Sequence, residues 1–284
     1  EGSGPGELSM TAFACVTGSG DLYVTQRGAM DRFDYFTGEW LEEQPRGMAP
    51  PPFGLMGLQD SAYVGVYLEF ADDPSGVGLD IGVALFVPGP FSPVTRFIED
   101  HYVLRDPNDA AGFMDRVWFG YNIAIGRDET IYIARRSSEQ YEVLGFSRDG
   151  EIVFELQRDL PRVERSEEEM AEERSFRLAQ LESMDAGGMN YEADPWRPFI
   201  TGIGADASGM VWVRRGTEVV PTFDVYDPVS MEQVLTITIP EAGEGGLYWR
   251  VTVDRFGILA WNENPESGWQ QIYVLEAPEL PPGD

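Results

Sequence analysis

The chain has 284 residues and 43% hydrophobic residues, enough to bury a core. It carries 49 acidic residues against 20 basic ones, for a net charge of -29, and every basic residue is arginine. That field repels nucleic-acid phosphate and anionic lipid surfaces, attracts a basic protein partner, and the absence of lysine excludes Schiff-base chemistry. A single cysteine, Cys15, excludes an intrachain disulfide and an iron–sulfur site. It lies in the apolar run Thr11–Val16, where a buried small hydrophobe is the expectation. No run of 18 apolar residues occurs, so no helical membrane span is expected, and no signal peptide is visible.

In chain order, short apolar or alternating runs are separated by turn residues. The first repeat, Ser9 to Glu42, reads as strands at Ala12–Val16, Leu22–Thr25, Arg32–Phe36 and Glu39–Glu42, and Pro45–Pro52 closes it. The second, Gly54 to Glu99, gives strands at Gly54–Gln59, Ala62–Leu68, Ile81–Val87 and Val94–Ile98, with Ala71–Gly76 as an enlarged turn. A polar linker, His101–Arg116, follows. The third begins at Val117 and gives Tyr121–Ile125, Thr130–Ala134, Tyr141–Phe146 and Ile152–Leu156, with an Asp-Gly hairpin turn at Ser147–Gly150.

The pattern then changes. Ser166-Glu-Glu-Glu169 is a capping box, acidic residues crowd the first turn, and Glu167–Met184 lacks Pro and Gly. A helix is expected over Ser166–Met184, inside an insertion spanning residues 157–199. Met170, Leu178, Leu181 and Met184 form a partial apolar stripe, with Phe176 at its edge. The fourth repeat, Ile200–Ile239, is the clearest: Ile200–Ala205, Met210–Arg214, Thr222–Tyr226 and Val234–Ile239. The fifth uses Tyr248–Val253, Ile258–Trp261 and Gln271–Glu276 and lacks a fourth strand.

Aligning the turns places Tyr23, Tyr63, Tyr132, Trp212 and Ala260 in equivalent slots. Tyr23 and Tyr63 are 40 residues apart, Trp212 and Ala260 are 48 apart. Four-stranded units at that spacing are the signature of a β-propeller. The fold class expected is all-β, a single propeller over residues 1–284 with about five blades and one helical insertion.

The turn–strand pattern Asp206-x-Ser-Gly-x-Val-Trp-Val213 resembles NHL-like six-bladed propellers. Glu1-Gly-Ser-Gly-Pro-Gly-Glu-Leu8 is similar to a linker of bacterial extracytoplasmic six-bladed propellers, where it follows the first blade. The resemblance covers nearly the whole chain. It implies six blades in the complete protein, with further N-terminal residues supplying one blade and a closing strand. It also implies an extracytoplasmic (periplasmic) location with a secretion signal or lipid anchor. A role as an extrinsic subunit of a membrane-associated photosynthetic or electron-transfer complex is the extension of that resemblance.

No catalytic motif stands out. The one histidine, His101, cannot build a multi-histidine metal site. No Gly-x-Ser-x-Gly elbow or P-loop is present, and Gly2, Gly4 and Gly6 precede no βαβ unit. The oxygen-rich stretches Asp106–Gly112 and Asp72-Asp73 lack a calcium-loop ladder, and pairs such as Glu42-Glu43 are too common here to nominate an acid/base dyad. No catalytic, cofactor or metal residue is therefore assigned. Trp196, Arg197, Phe199, Met170 and Phe176, around the insertion, are the candidate partner contacts. The expected role is a non-catalytic scaffold for a basic protein or membrane-complex subunits. The alternative is a divalent-metal-dependent hydrolase or lyase with its metal in the central channel.

Overall fold

The computed structural model describes residues 13–26, 29–44, 50–89, 92–104, 120–183, 191–240, 249–262 and 272–275. They form five consecutive sheets and one helix, the fold class of a β-propeller. The first sheet is β1 (Phe13–Val16), β2 (Asp21–Gln26), β3 (Ala29–Asp34) and β4 (Trp40–Gln44). The second is β5 (Phe53–Gly57), β6 (Tyr63–Asp73), β7 (Gly76–Phe86) and β8 (Thr95–Leu104). The third is β9 (Tyr121–Ile125), β10 (Ile131–Arg135), β11 (Tyr141–Phe146) and β12 (Ile152–Arg158). The helix α1 (Glu167–Ser183) follows. The fourth sheet is β13 (Ile200–Ala205), β14 (Val211–Arg215), β15 (Thr222–Tyr226) and β16 (Gln233–Thr238). The fifth, among the described residues, has three strands: β17 (Trp249–Asp254), β18 (Gly257–Asn262) and β19 (Ile272–Leu275). In each sheet strands adjacent in sequence are adjacent in space, as short hairpin connections dictate.

The chain divides into two compact units. The first contains Glu1–Tyr121, Phe146–Ile152 and Ser166–Asp194; the second contains Asn122–Gly145, Val153–Arg165 and Pro195–Asp284.

In the first unit, sheets one and two stack through aromatic rings. The Tyr23 and Tyr63 centroids lie 4.7 Å apart, and Tyr63 stacks on Phe86 at 5.4 Å. The two sheets also meet backbone to backbone, Gly18 N–H donating to the Leu58 carbonyl at 2.7 Å. Glycine is required there, because a Cβ on Gly18 would lie 2.2 Å from the Gln59 carbonyl oxygen. Cys15 is buried in the same core, and burial pushes its thiol up to about 12.

In the second unit, one core gathers Tyr132, Val143, Phe154, Phe199, Val213 and Tyr226, and another gathers Trp212, Phe223, Val253 and Ile258. The slots aligned by turn in the sequence, Tyr23, Tyr63, Tyr132, Trp212 and Ala260, all fall on the second strand of their sheets and all are buried. The Asp-x-Ser-Gly pattern has a local cause. The Asp206 carboxylate accepts from the Ser208 and Met210 N–H groups at 2.9 and 3.0 Å and from the Trp212 indole at 2.8 Å. Gly209 takes the left-handed φ of 89° that closes the turn.

The second sheet departs from expectation. Ala71–Asp73 is strand rather than enlarged turn, and His101, assigned to a linker, sits inside β8. Strands β6, β7 and β8 have 11, 11 and 10 residues; β6 and β7 pair without interruption out to Asp73↔Gly76, and β7 and β8 pair out to Val77↔Leu104 with one register shift between Val83 and Ala84. The alternation Glu69-Phe-Ala-Asp-Asp73 was masked by its acidic residues, and only Pro74 and Ser75 form the loop. The remainder of that linker, with Asp106–Gly112, lies outside the described residues.

The helix is capped as its sequence requires. Glu169 N–H donates to Ser166 Oγ at 3.2 Å, and Ser166 N–H to the Glu169 carboxylate at 2.9 Å. Its buried stripe, however, is Glu173, Arg177 and Leu181, at 2, 2 and 3% exposure. Leu178 faces solvent and Met170 is half-buried, while Met184 lies outside the described residues. Glu173 pairs with Arg177 at 3.8 Å and accepts from the buried Tyr191 hydroxyl at 2.8 Å, which offsets desolvation of the carboxylate.

Candidate binding cleft

An open cleft of about 300 Å³ lies in the second unit at the junction of the start of β11 and the end of β12. Glu139, Gln140, Tyr141, Glu142, Gln157, Arg158 and Asp159 line it. Its floor is built by strand alternation. Tyr141 points inward and meets Tyr226 from β15, their hydroxyls 3.2 Å apart and both rings buried. Burial raises both phenols above their ordinary range, so both hydroxyls stay protonated at neutral pH.

Arg158 closes one wall. Its guanidinium lies 5.0 Å from the Tyr226 ring centroid and 5.8 Å from that of Tyr141, and it donates to Gln233 Oε1 at 2.7 Å. Beneath it Asp224 is buried at 2% exposure. Arg215 grips Asp224 with two bonds of 2.9 and 2.7 Å, and Gln233 and Thr236 donate to it at 2.8 and 3.0 Å. Three of those donors share Oδ1 and one takes Oδ2, which also lies 3.8 Å from Arg158, making Asp224 the structural anchor of the network.

The opposite wall is acidic. Glu142 accepts from Arg135 at 3.2 Å and from Gln157 at 3.0 Å, so it is held in place on β11. Glu139 and Asp159 are exposed at the mouth. Three carboxylates thus line the cleft, Glu142 among them paired with Arg135, against one arginine that is committed to Gln233, Asp224 and two aromatic faces. Such an arrangement holds a cationic side chain by ion pairing over a phenolic floor.

The candidates chosen from sequence lie elsewhere. Glu164 and Trp196 form a β-bridge, and Arg162 stacks on the Trp196 ring at 4.2 Å. Arg197 donates from its backbone to Val163 at 2.9 Å and from its guanidinium to Thr217 at 3.0 Å. These contacts tie the base of the insertion together. Trp196 and Arg197 remain half-exposed, whereas Phe199, at 2% exposure, is core and offers no surface. It directly precedes Ile200, the first residue of β13, and the two enter the same core. Met170 and Phe176 are half-buried on α1, in the first unit. Sequence reading missed the cleft. Its one visible signal was an aspartate in the middle of the apolar strand Thr222-Phe-Asp-Val-Tyr226, since a carboxylate in a buried strand demands a partner.

No described helix is long and apolar enough to cross a membrane. Among the described residues no group of three or more His, Cys, Asp or Glu is placed to hold a metal ion.

No protein-family model and no curated protein matches the chain. Solved structures similar to it include the β-propeller domain of Cps50 (Swd1) from Myceliophteria thermophila, at 12% identity and TM-score 0.40, covering 94% of this chain and 70% of that one. Streptogramin B lyase is similar at 12% identity and TM-score 0.36, covering 94% and 70%. Hydrazine synthase from Kuenenia stuttgartiensis is similar at 10% identity and TM-score 0.40, covering 96% of this chain but 59% of that one. A Bacteroides caccae protein of unknown function is likewise spanned over 60% of its length.

Proposed function

We propose that the protein is a non-catalytic binding and scaffolding propeller that docks a basic segment of a partner protein. The observation that supports this reading is the cleft: three carboxylates, the protonated Tyr141 backed by Tyr226, and an arginine already engaged by its own neighbours. The net charge of -29 adds long-range attraction for a basic partner and faster encounter. The role extends to that of an extrinsic, extracytoplasmic subunit of a membrane-associated complex, on the strength of the resemblance at Glu1–Leu8.

The composition supplies an unusually clean test. The chain has no lysine, so a zero-length carbodiimide link between one of its carboxylates and a lysine side chain must join it to another molecule. Native complexes should yield links from Glu139, Glu142 or Asp159 to lysines in a basic segment of one partner. Links scattered over all carboxylates, with none at the cleft, would overturn the reading. The divalent-metal hydrolase or lyase would be revealed instead by stoichiometric metal in purified protein, with turnover lost on chelation.

A further inference from the structure

The distal half of the β6–β8 arm carries a feature that the binding cleft does not use. On one face of this three-stranded segment the side chains of Tyr67, Glu69, Ala71 and Asp73 project from β6, because alternate residues of a strand share a face. Asp80 projects from the central strand, paired with Glu69 on one side and His101 on the other. From β8 come Glu99, His101 and Val103. The intervening residues of the central strand on this face are Gly76, Gly78 and Gly82, so side chains from the flanking strands can cross it.

Two such crossings occur. Tyr67 lies over Gly82, where a Cβ would come within 2.9 Å of the ring, and its hydroxyl donates to Glu99. Arg96 covers the Tyr67 ring at 4.8 Å, binds both Glu69 oxygens at 2.9 Å and reaches Glu99 at 2.5 Å. That crossing secures the proximal part of the arm.

The second crossing is His101. Its Nδ1 lies 2.7 Å from Asp80 and its Nε2 3.3 Å from Asp73, so one imidazole spans all three strands. A neutral imidazole has one N–H and can donate to only one of the two carboxylates, leaving its other nitrogen lone pair against the second. The imidazolium donates to both. The arm end beyond this point is exposed: Asp72, Pro74, Ser75, Gly76 and Val77 face solvent, and Phe70 is 69% exposed. The apolar side chains on this face of the arm end are Ala71 and Val103, the latter paired with Gly78 and lying against Gly76, so the cover there is small.

We propose that His101 is a protonation-dependent clasp that binds the distal ends of β6, β7 and β8 together as an imidazolium and lets them separate when it is neutral. The groups facing it are Glu69 and Asp73 from β6, Asp80 from β7, and Glu99 and Arg96 from β8. Asp72 and Asp100 alternate onto the other face, where Asp100 accepts from Tyr121 at 2.5 Å. The facing set is four carboxylates against two cations when His101 is charged and against Arg96 alone when it is not. Hydrogen bonds to Asp80 and then Asp73 hold the imidazole above its ordinary range. Bonds from Ser75, and then His101, hold Asp73 below the usual carboxylate range.

The sign follows. A histidine raised on folding stabilises the arm fully below its unfolded titration, and that contribution fades as pH rises through the raised value. Asp73, being lowered, loses its share only in acid. The arm is therefore tightest below the ordinary imidazole range and loosens as pH rises through the raised value of His101.

Because the chain has one histidine, its imidazole proton signals are unambiguous in a titration followed by NMR. The expected midpoint lies above about 6.5, falls with added salt, and falls further in Asp80→Asn and in Asp73→Asn. Hydrogen-exchange protection of residues 70–80 should drop about two- to fivefold through that midpoint, the range an exposed ion pair carries. In His101→Asn it should be low and independent of pH. A midpoint at or below 6.5 in the native chain overturns the proposal, as does arm protection that is flat across the titration.

Discussion

Replacing Asp224 by asparagine tests whether the cleft is built on a buried ion pair. The substitution keeps the shape and removes the charge. Asp224 accepts from Arg215 twice, from Gln233 and from Thr236, while being 2% exposed. An amide in its place turns an NH2 group towards donors that it cannot satisfy. Breaking a fully buried pair by removing one partner costs about 3–5 kcal/mol. Arg215 retains 32% side-chain exposure, so water recovers part of that, and about 2–3 kcal/mol is expected. Urea unfolding should show the loss as a lower midpoint with an unchanged slope. A double-mutant cycle with Arg215→Met isolates the pair and should return a coupling of about 1–2 kcal/mol. A loss under about 0.5 kcal/mol, the ordinary scale of a surface substitution, or a coupling near zero would refute the argument that this network holds the floor of the cleft.

Ser166→Ala removes one half of the reciprocal cap and should cost about 0.5–2 kcal/mol, measured as lost protection in the first turn of α1. Gly204→Ala places a Cβ 2.4 Å from the Val253 carbonyl oxygen, where β13 meets β17, and should cost at least about 1–3 kcal/mol in thermal unfolding; a neutral result would mean the two strands are farther apart. Cys15, buried with its thiol pushed up to about 12, should resist iodoacetamide in the native protein at pH 8 and react only on unfolding; rapid native alkylation would contradict its place in the core.

The repeat was legible because turn chemistry is local. Asp206 with its Ser-Gly turn, and the aromatic slot three residues past the turn glycine, depend on neighbours a few positions away. The helix cap was legible for the same reason, since Ser166 and Glu169 satisfy each other. The buried face of the helix was not. Hydrophobic spacing pointed to Leu178, but Glu173 is buried because Tyr191, 18 residues on, donates to it. The long arm was obscured by acidic residues that read as turn, and its stability rests on cross-strand pairs such as Asp80 with His101. The cleft lies furthest from a sequence signal. Tyr141 and Tyr226 are 85 positions apart, and only the packing of strands in the second unit brings their hydroxyls together.

The central claim is that the cleft receives a basic side chain from a partner. Isothermal titration with a short arginine-containing peptide of low net charge, which limits attraction to the acidic surface at large, tests it most directly. The account predicts saturable one-to-one binding that weakens with salt and is lost in the Glu139→Gln, Asp159→Asn double variant, whose side chains are exposed and whose fold should be unchanged. Binding that never saturates, or that is equally strong in the double variant, would contradict it.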